Sequence, residues 1–162
     1  MDAICPTAID SLVRIWTTLH ADLSVEIEPA EVRHLHRVVF GMDDELLACL
    51  LATKLAMSRR PRRNWPGDDL ARFGSEILFS VQGRQHRGRL IHGAADEAGV
   101  IGIESRYGAA LLGLRSGQQI LWPHASGRLV EVRVLEVTAP RILGRPDCAA
   151  GRPGRAAPCA SG

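Results

Sequence analysis

The chain has 162 residues, 46% of them apolar, and a formal net charge of +2, which suits one domain or two small units sharing a core. So even a balance argues against a protein that wraps nucleic acid, because such domains are strongly basic. Cys5, Cys49, Cys148 and Cys159 show no CxxC spacing, which argues against a disulfide framework or a zinc site and for reduced thiols in the cytoplasm. The first residues carry Asp2 and Asp10 and no basic stretch followed by an apolar core, so no secretory signal is expected. The longest apolar run, Leu46 to Ala52, is too short for a membrane span, which needs about 20 residues.

Residues 7–58 have helical periodicity. A first helix is expected from Thr7, where Thr7-x-x-Asp10 resembles a capping box, with Ile9, Leu12, Val13, Trp16 and Leu19 on one face. A second begins at Glu28-Pro29, with Pro at the first helical position and Glu31 in the first turn. Val32, Leu35 and Val39 form its apolar stripe, and Gly41 is expected to end it in the left-handed region. The third runs from Asp43-Asp44-Glu45 to about Ser58. Its Leu46, Leu47, Leu50, Leu51, Leu55 and Met57 spread over more than one face, so it needs cover on several sides, from the first helix or from a second copy of the chain. The short Phe40-Gly41-Met42-Asp43 connection makes the second and third helices an antiparallel hairpin. Arg59, Arg60, Arg62 and Arg63 flank Pro61 and break the helix, and Trp65-Pro-Gly-Asp68 reads as a turn.

From Leu70 the period changes to that of strands. Ser75–Gln82 and Arg87–His92 are expected to pair about a Gln82-Gly83 turn, followed by a strand at Val100–Ile103 and one short helix at Tyr107–Leu114. Gln119–Trp122 and Arg128–Val137 complete an antiparallel set around the Ala125-Ser-Gly127 turn, with Val130, Val132, Val134 and Val137 on the buried face. The element order gives an α+β fold, divided into a helical region with a short hairpin (1–66), a sheet region with one helix (67–138) and a Gly/Pro/Ala/Arg tail (139–162) that is expected to be unstructured.

The sheet region contains Glu104-Ser105-x-x-Gly108-Ala-Ala-Leu111-Leu112-Gly113-Leu-Arg-x-Gly117, preceded by Leu70-Ala-Arg-Phe-Gly-Ser75-Glu-Ile-Leu-Phe79 and closed by Gly127-Arg-Leu-Val-Glu-Val-Arg-Val-Leu-Glu-Val137. In order and spacing this set resembles the C-terminal domain of the Gre transcript-cleavage factors. It is still more similar to their short-armed relatives, the nucleoside diphosphate kinase regulators (Rnk-like proteins). The likeness covers roughly residues 25–138. It departs from the family pattern at Arg106, where proline is usual, and at Gln118, where an acid is usual.

The resemblance implies an FKBP-like C-terminal domain that docks on RNA polymerase near its secondary channel, and a helical hairpin that projects toward that channel. The docking residues it implies are Glu104, Ser105, Arg106, Tyr107, Gly108, Leu111, Leu112, Gly113 and Gly117. The hairpin tip is Met42, Asp43, Asp44 and Glu45, where cleavage factors carry acids that help hold a magnesium ion. Arms 29–40 and 43–58 reach only about 18 and 24 Å at 1.5 Å per residue, so transcript cleavage is not expected. The tip acids are read as helix-capping groups, and no cofactor or metal is expected.

Other candidates are weaker. His34 and His36 lie on different helix faces at i, i+2, and His86, His92 and His124 are scattered along the chain. Ser105 lacks a nucleophile elbow, and no Gly-rich phosphate cradle is present. Arg59, Arg60, Arg62 and Arg63 form a basic patch suited to an acidic protein surface and, more weakly, to nucleic acid. An isomerase of the FKBP type would need an aromatic pocket built from Phe73, Phe79, Tyr107 and Trp122.

Overall fold

A computed structural model describes residues 6–62 and 69–140. Arg63, the Trp65 to Asp68 turn, Cys5, Cys148, Cys159 and all of the expected tail beyond Pro140 lie outside the described residues. Within them, the helices are α1 (Pro6–Leu19), α2 (Pro29–Val39), α3 (Glu45–Met57) and α4 (Arg106–Leu111). The strands are β1 (Glu76–Val81), β2 (Arg84–Ile91), β3 (Asp96–Glu97), β4 (Gly99–Gly102), β5 (Gln119–Pro123) and β6 (Leu129–Thr138). They form one sheet in the order β3-β4-β2-β1-β6-β5, and the fold is α+β.

The sheet is mixed, which corrects the expectation of an antiparallel set. β4 runs parallel to β2, with Gly88 opposite Gly99 and Leu90 opposite Ile101, while the other pairings are antiparallel. After β2 the chain reverses, lays down β3 on the far side of β4, and reverses again at Ala98-Gly99. Two reversals restore the original direction. β3 consists of Asp96 and Glu97, residues depleted in strands, so its sequence carries no strand signal.

In β6, Leu78 pairs with Glu136 and Phe79 with Val134, which leaves Leu135 as an extra residue in a bulge. That bulge resets the alternation. Val130, Val132 and Val134 face the core, and Val137 rejoins the same face opposite Ile77.

The helices cover that face, and helical and sheet residues form one hydrophobic cluster running from Trp16, Leu35 and Leu50 through Ile77, Ile103 and Leu111 to Trp122 and Val134. The cover that α3 needs comes from within the chain: α1, α2, α4 and β5 all pack on it. Its Leu46, Leu47, Leu50, Leu51 and Leu55 are buried. Two local details differ from expectation. α1 starts at Pro6, so Thr7 lies inside the helix and not at its cap. α2 ends on Phe40 in the right-handed region, and Gly41 does not adopt a positive φ.

α3 carries the least anticipated residue, Lys54. Its ammonium is fully buried and donates to the carbonyls of Ala109 (2.7 Å), Ala110 (2.6 Å) and Leu112 (2.7 Å) at the C-terminal end of α4. Three N–H donors meet three carbonyls at the negative end of a helix, with the Trp122 ring 5.6 Å away. Burial pushes the Lys54 pKa well below the ordinary lysine range.

The outer edge of β5 is covered by α1. Trp16 Nε1 donates to the Leu121 carbonyl (2.6 Å), and the Leu121 amide donates to His20 Nε2 (3.0 Å). An edge strand's unpaired groups invite pairing with another chain, and these two side chains occupy both groups of Leu121.

Candidate functional site

The segment from Glu104 to Gly117 begins where β4 runs into α4. Ser105 caps α4, its Oγ accepting from the Gly108 amide at 3.2 Å. Gly108 is required by proximity: a Cβ there would lie 1.9 Å from the Gly102 carbonyl oxygen. That approach draws the Ala109-Ala110-Leu111-Leu112 run into the core. Gly113 turns the chain out with φ +80, and a Cβ on it would meet Ile27 Cγ1 at 2.5 Å.

Gly108, Leu111, Leu112 and Gly113 are therefore buried, which corrects their reading as surface contacts. They shape the segment from within and lie away from its solvent-facing side. What the segment offers to solvent is Glu104, Arg106 and Tyr107, all half-buried, and the exposed Gly117; Ser105 is buried.

Each of the first two polar side chains reaches a helix. Glu104 Oε1 lies 2.7 Å from His34 Nε2 on α2. Arg106 donates to the Pro123 carbonyl (2.9 Å) and to Asp44 Oδ2 (2.8 Å), while its own carbonyl accepts from Trp122 Nε1 (2.8 Å). Burial raises the Tyr107 phenol pKa; Arg106 opposes this and Asp96 adds to it.

The resemblance implied a hairpin that projects toward the polymerase channel; in the structure the α2–α3 loop is tied to this segment. Asp44 caps α3, accepting from the Leu47 amide at 3.0 Å, and pairs with Arg106. Partial burial works against its charge, but the Leu47 amide and Arg106 outweigh it and hold its pKa below the ordinary value. Met42 is half-buried against the core, whereas Asp43 and Glu45 are exposed. Among the described residues, no group of three or more His, Cys, Asp or Glu is placed to hold a metal ion.

The second departure from the family pattern also ties the layers together. Gln118 accepts from the Arg115 amide (2.8 Å) and donates to the Ser24 carbonyl (3.2 Å); a carboxylate could make only the first bond. Beside it, Arg115 bridges Glu26, with both oxygens at 3.1 Å, and Asp69 at 2.6 Å. Glu26 also accepts from the Arg62 amide, and the Arg59 backbone pairs with Val25 and Ile27. The basic patch is thus fastened by its backbone, leaving Arg59, Arg60 and Arg62 exposed.

The scattered histidines fall into two groups. His92 meets His34 edge-on at 5.7 Å and packs on Phe73 at 4.2 Å, while His36 is exposed. His86, stacked on Phe79 at 5.4 Å, lines a cleft of about 550 Å³ together with His124. Phe79, Val81 and Ile101 supply its apolar lining, and Tyr107, Arg84 and Asp96 are among its polar groups. Trp122 is buried and Phe73 lies elsewhere. Of the aromatics an isomerase pocket would need, the cleft holds only Phe79 and Tyr107.

The arrangement matches a known architecture. The prokaryotic transcription elongation factor GreA/GreB from Nitrosomonas europaea superposes with a TM-score of 0.50 at 23% identity, over 71% of this chain and 98% of that one. The chain has a Gre-type fold. GreA factor homolog 1 (Gfh1) of Thermus thermophilus is also similar, at 16% identity and TM-score 0.36 over 72% of this chain and 99% of that chain. Gfh1 of Thermus aquaticus gives 17% and 0.37, over 70% and 97%. No protein-family model and no curated protein sequence matches the chain. No helix among the described residues is long and apolar enough to cross a membrane.

Residue patterning missed Lys54, Trp16, His20, Glu26 and Arg115 as organising residues. Each carries only a local signal of helix or turn, while its tertiary partners lie 36 to 105 residues away.

Proposed function

We propose that this protein is an RNA-polymerase-binding transcription regulator of the Gre type, which docks near the secondary channel and does not itself promote transcript cleavage. Its docking surface is built from Glu104, Arg106 and Tyr107 with the adjoining α2–α3 loop. Support comes from the Gre-type fold and from the solvent-facing polar groups of the β4–α4 turn. On this reading the protein acts in the cytoplasm as a binding module, with no cofactor and no catalysis of its own.

The observation that carries the non-cleaving reading is the engagement of Asp44. Its carboxylate is held by the Leu47 amide and by Arg106, so of the neighbouring Asp43 and Asp44 only Asp43 is free among the described residues, where a magnesium ion held by that pair would draw on both. Helices of 11 and 13 residues also give arms of only about 17 and 20 Å. The test is a binding measurement with purified core RNA polymerase, followed by a cleavage assay on stalled elongation complexes. Retention of polymerase without added cleavage is the expected result. Stimulated cleavage that Asp43→Ala and Asp44→Ala abolish would replace this reading with that of a cleavage factor.

A further inference from the structure

We propose that Phe40 anchors the α2–α3 loop in an apolar socket rimmed by arginine or lysine on a protein partner, an inference that rests on RNA polymerase being that partner. Among the described residues Phe40 is 89% exposed, against 63% for Leu19, 56% for Ile15 and 44% for Phe73. Phe73 still packs on His92, whereas Phe40 has no such ring partner among the described residues. Nothing in the local fold calls for an aromatic at the C-terminal cap of α2. Covering such a ring would bury roughly 150–250 Å².

The backbone that presents the ring is held in place. The Gly41 amide donates to Val38 (2.9 Å) and the Met42 amide to Val39 (3.3 Å), while Met42 packs on the core. Asp44 is fastened twice, to the α3 amide of Leu47 and to Arg106. An aromatic on a fixed loop loses little conformational freedom on binding, which is the condition for a strong anchor.

The charges next to it select the partner. Asp43 and Glu45 are exposed and make no ion pair among the described residues, unlike Asp44. An apolar centre beside unpaired carboxylates fits a socket with a cationic rim, where a guanidinium can also lie on the ring face. A second copy of this chain is a poor occupant. Even with the exposed Arg37 counted, each copy would bring a loop of net negative charge, from Asp43 and Glu45, to a two-fold contact at Phe40. Through Asp44 and Arg106 the loop is also continuous with the Glu104–Tyr107 surface proposed to dock.

The experiment compares the full-length protein with Phe40→Ala, Phe40→Trp and the double variant Asp43→Asn/Glu45→Gln. It reads affinity for purified core RNA polymerase, thermal midpoint, and mass by light scattering. Phe40→Ala is expected to weaken binding about tenfold or more with an unchanged midpoint, and Phe40→Trp to retain it. The double variant is expected to bind more weakly and with less salt dependence. If the wild type binds and Phe40→Ala binds equally well, this inference fails and the proposed function stands. If the wild type does not bind polymerase, both fail. A wild-type dimer that Phe40→Ala dissociates would assign the ring to a second copy and overturn the inference.

Discussion

Arg106 and Asp44, 62 residues apart in sequence, meet at 2.8 Å and join the first residue of α4 to the cap of α3. The side chains are 23% and 39% exposed, so solvent screens the pair and its ionic contribution is small. Its consequence is positional: it holds the helical loop against the segment whose wording resembles the polymerase-docking family.

That pair is measurable by a double-mutant cycle. Arg106→Met and Asp44→Asn, the latter keeping a capping side chain, should show a coupling of about 0.5–1 kcal/mol in urea unfolding that shrinks in high salt. Asp44→Ala should cost about 1 kcal/mol more than Asp44→Asn, through loss of the cap. A coupling near zero at low salt would mean that the loop is not held by this contact in solution.

Lys54 should be among the most sensitive positions. Lys54→Met fills similar volume but leaves the carbonyls of Ala109, Ala110 and Leu112 without their donor. A loss of about 3–5 kcal/mol is expected, because three buried carbonyls lose their donor at once. Denaturant unfolding with far-UV circular dichroism would measure it, and a loss below 1 kcal/mol would refute the three-bond cap.

The His20 contact predicts a stability change with pH. Nε2 accepts from the Leu121 amide and Nδ1 faces the Trp16 carbonyl at 2.7 Å, so the ring is neutral with its proton on Nδ1. Burial lowers its pKa below the ordinary 6.5, while the bond to Trp16 opposes the shift. The unfolded chain then binds more protons, so the stabilisation is complete above about pH 6.5 and is lost as pH falls toward the folded-state value. Glu31 works in the opposite sense. Burial raises its pKa, while bonds from the Phe73 and Glu28 backbone oppose the rise, so its contribution is greatest in acid and declines as pH rises through its folded value. In a Glu31→Gln background the thermal midpoint should therefore fall between pH 7.5 and 5.5, and His20→Gln should flatten that fall.

Gly108→Ala should be severe for a steric reason. The new methyl would enter the Gly102 carbonyl at 1.9 Å, and backbone on both sides leaves no flexible group to yield. A loss at or above about 3 kcal/mol is expected. Gly127→Ala is the comparison, since space there is open and only its φ of +75 resists substitution; it should cost about 1 kcal/mol. Equal losses in thermal melts would contradict the close approach.

Much of the architecture was readable without coordinates. Pro29 at the start of α2, Asp44 before α3, Gln82-Gly83 between β1 and β2 and Gly127 before β6 are local signals that the structure keeps. The Glu104–Gly117 segment was legible as a string, but not as a surface. Leu111 and Leu112 look no different in sequence from exposed leucines, and only the approach forced at Gly108 shows that they are core.

By itself the sequence determined the order of the helices and of every strand but β3, several of the caps and turns, and the α+β class. These depend on side-chain periodicity and backbone preference over a few neighbouring residues. Tertiary structure alone decided the parallel pairing of β2 with β4, the seat of Lys54 beneath α4, and the tie between Asp44 and Arg106. Those contacts arise when distant segments are packed around one core. Their energies belong to pairs of positions, and a linear pattern does not reveal which positions will meet.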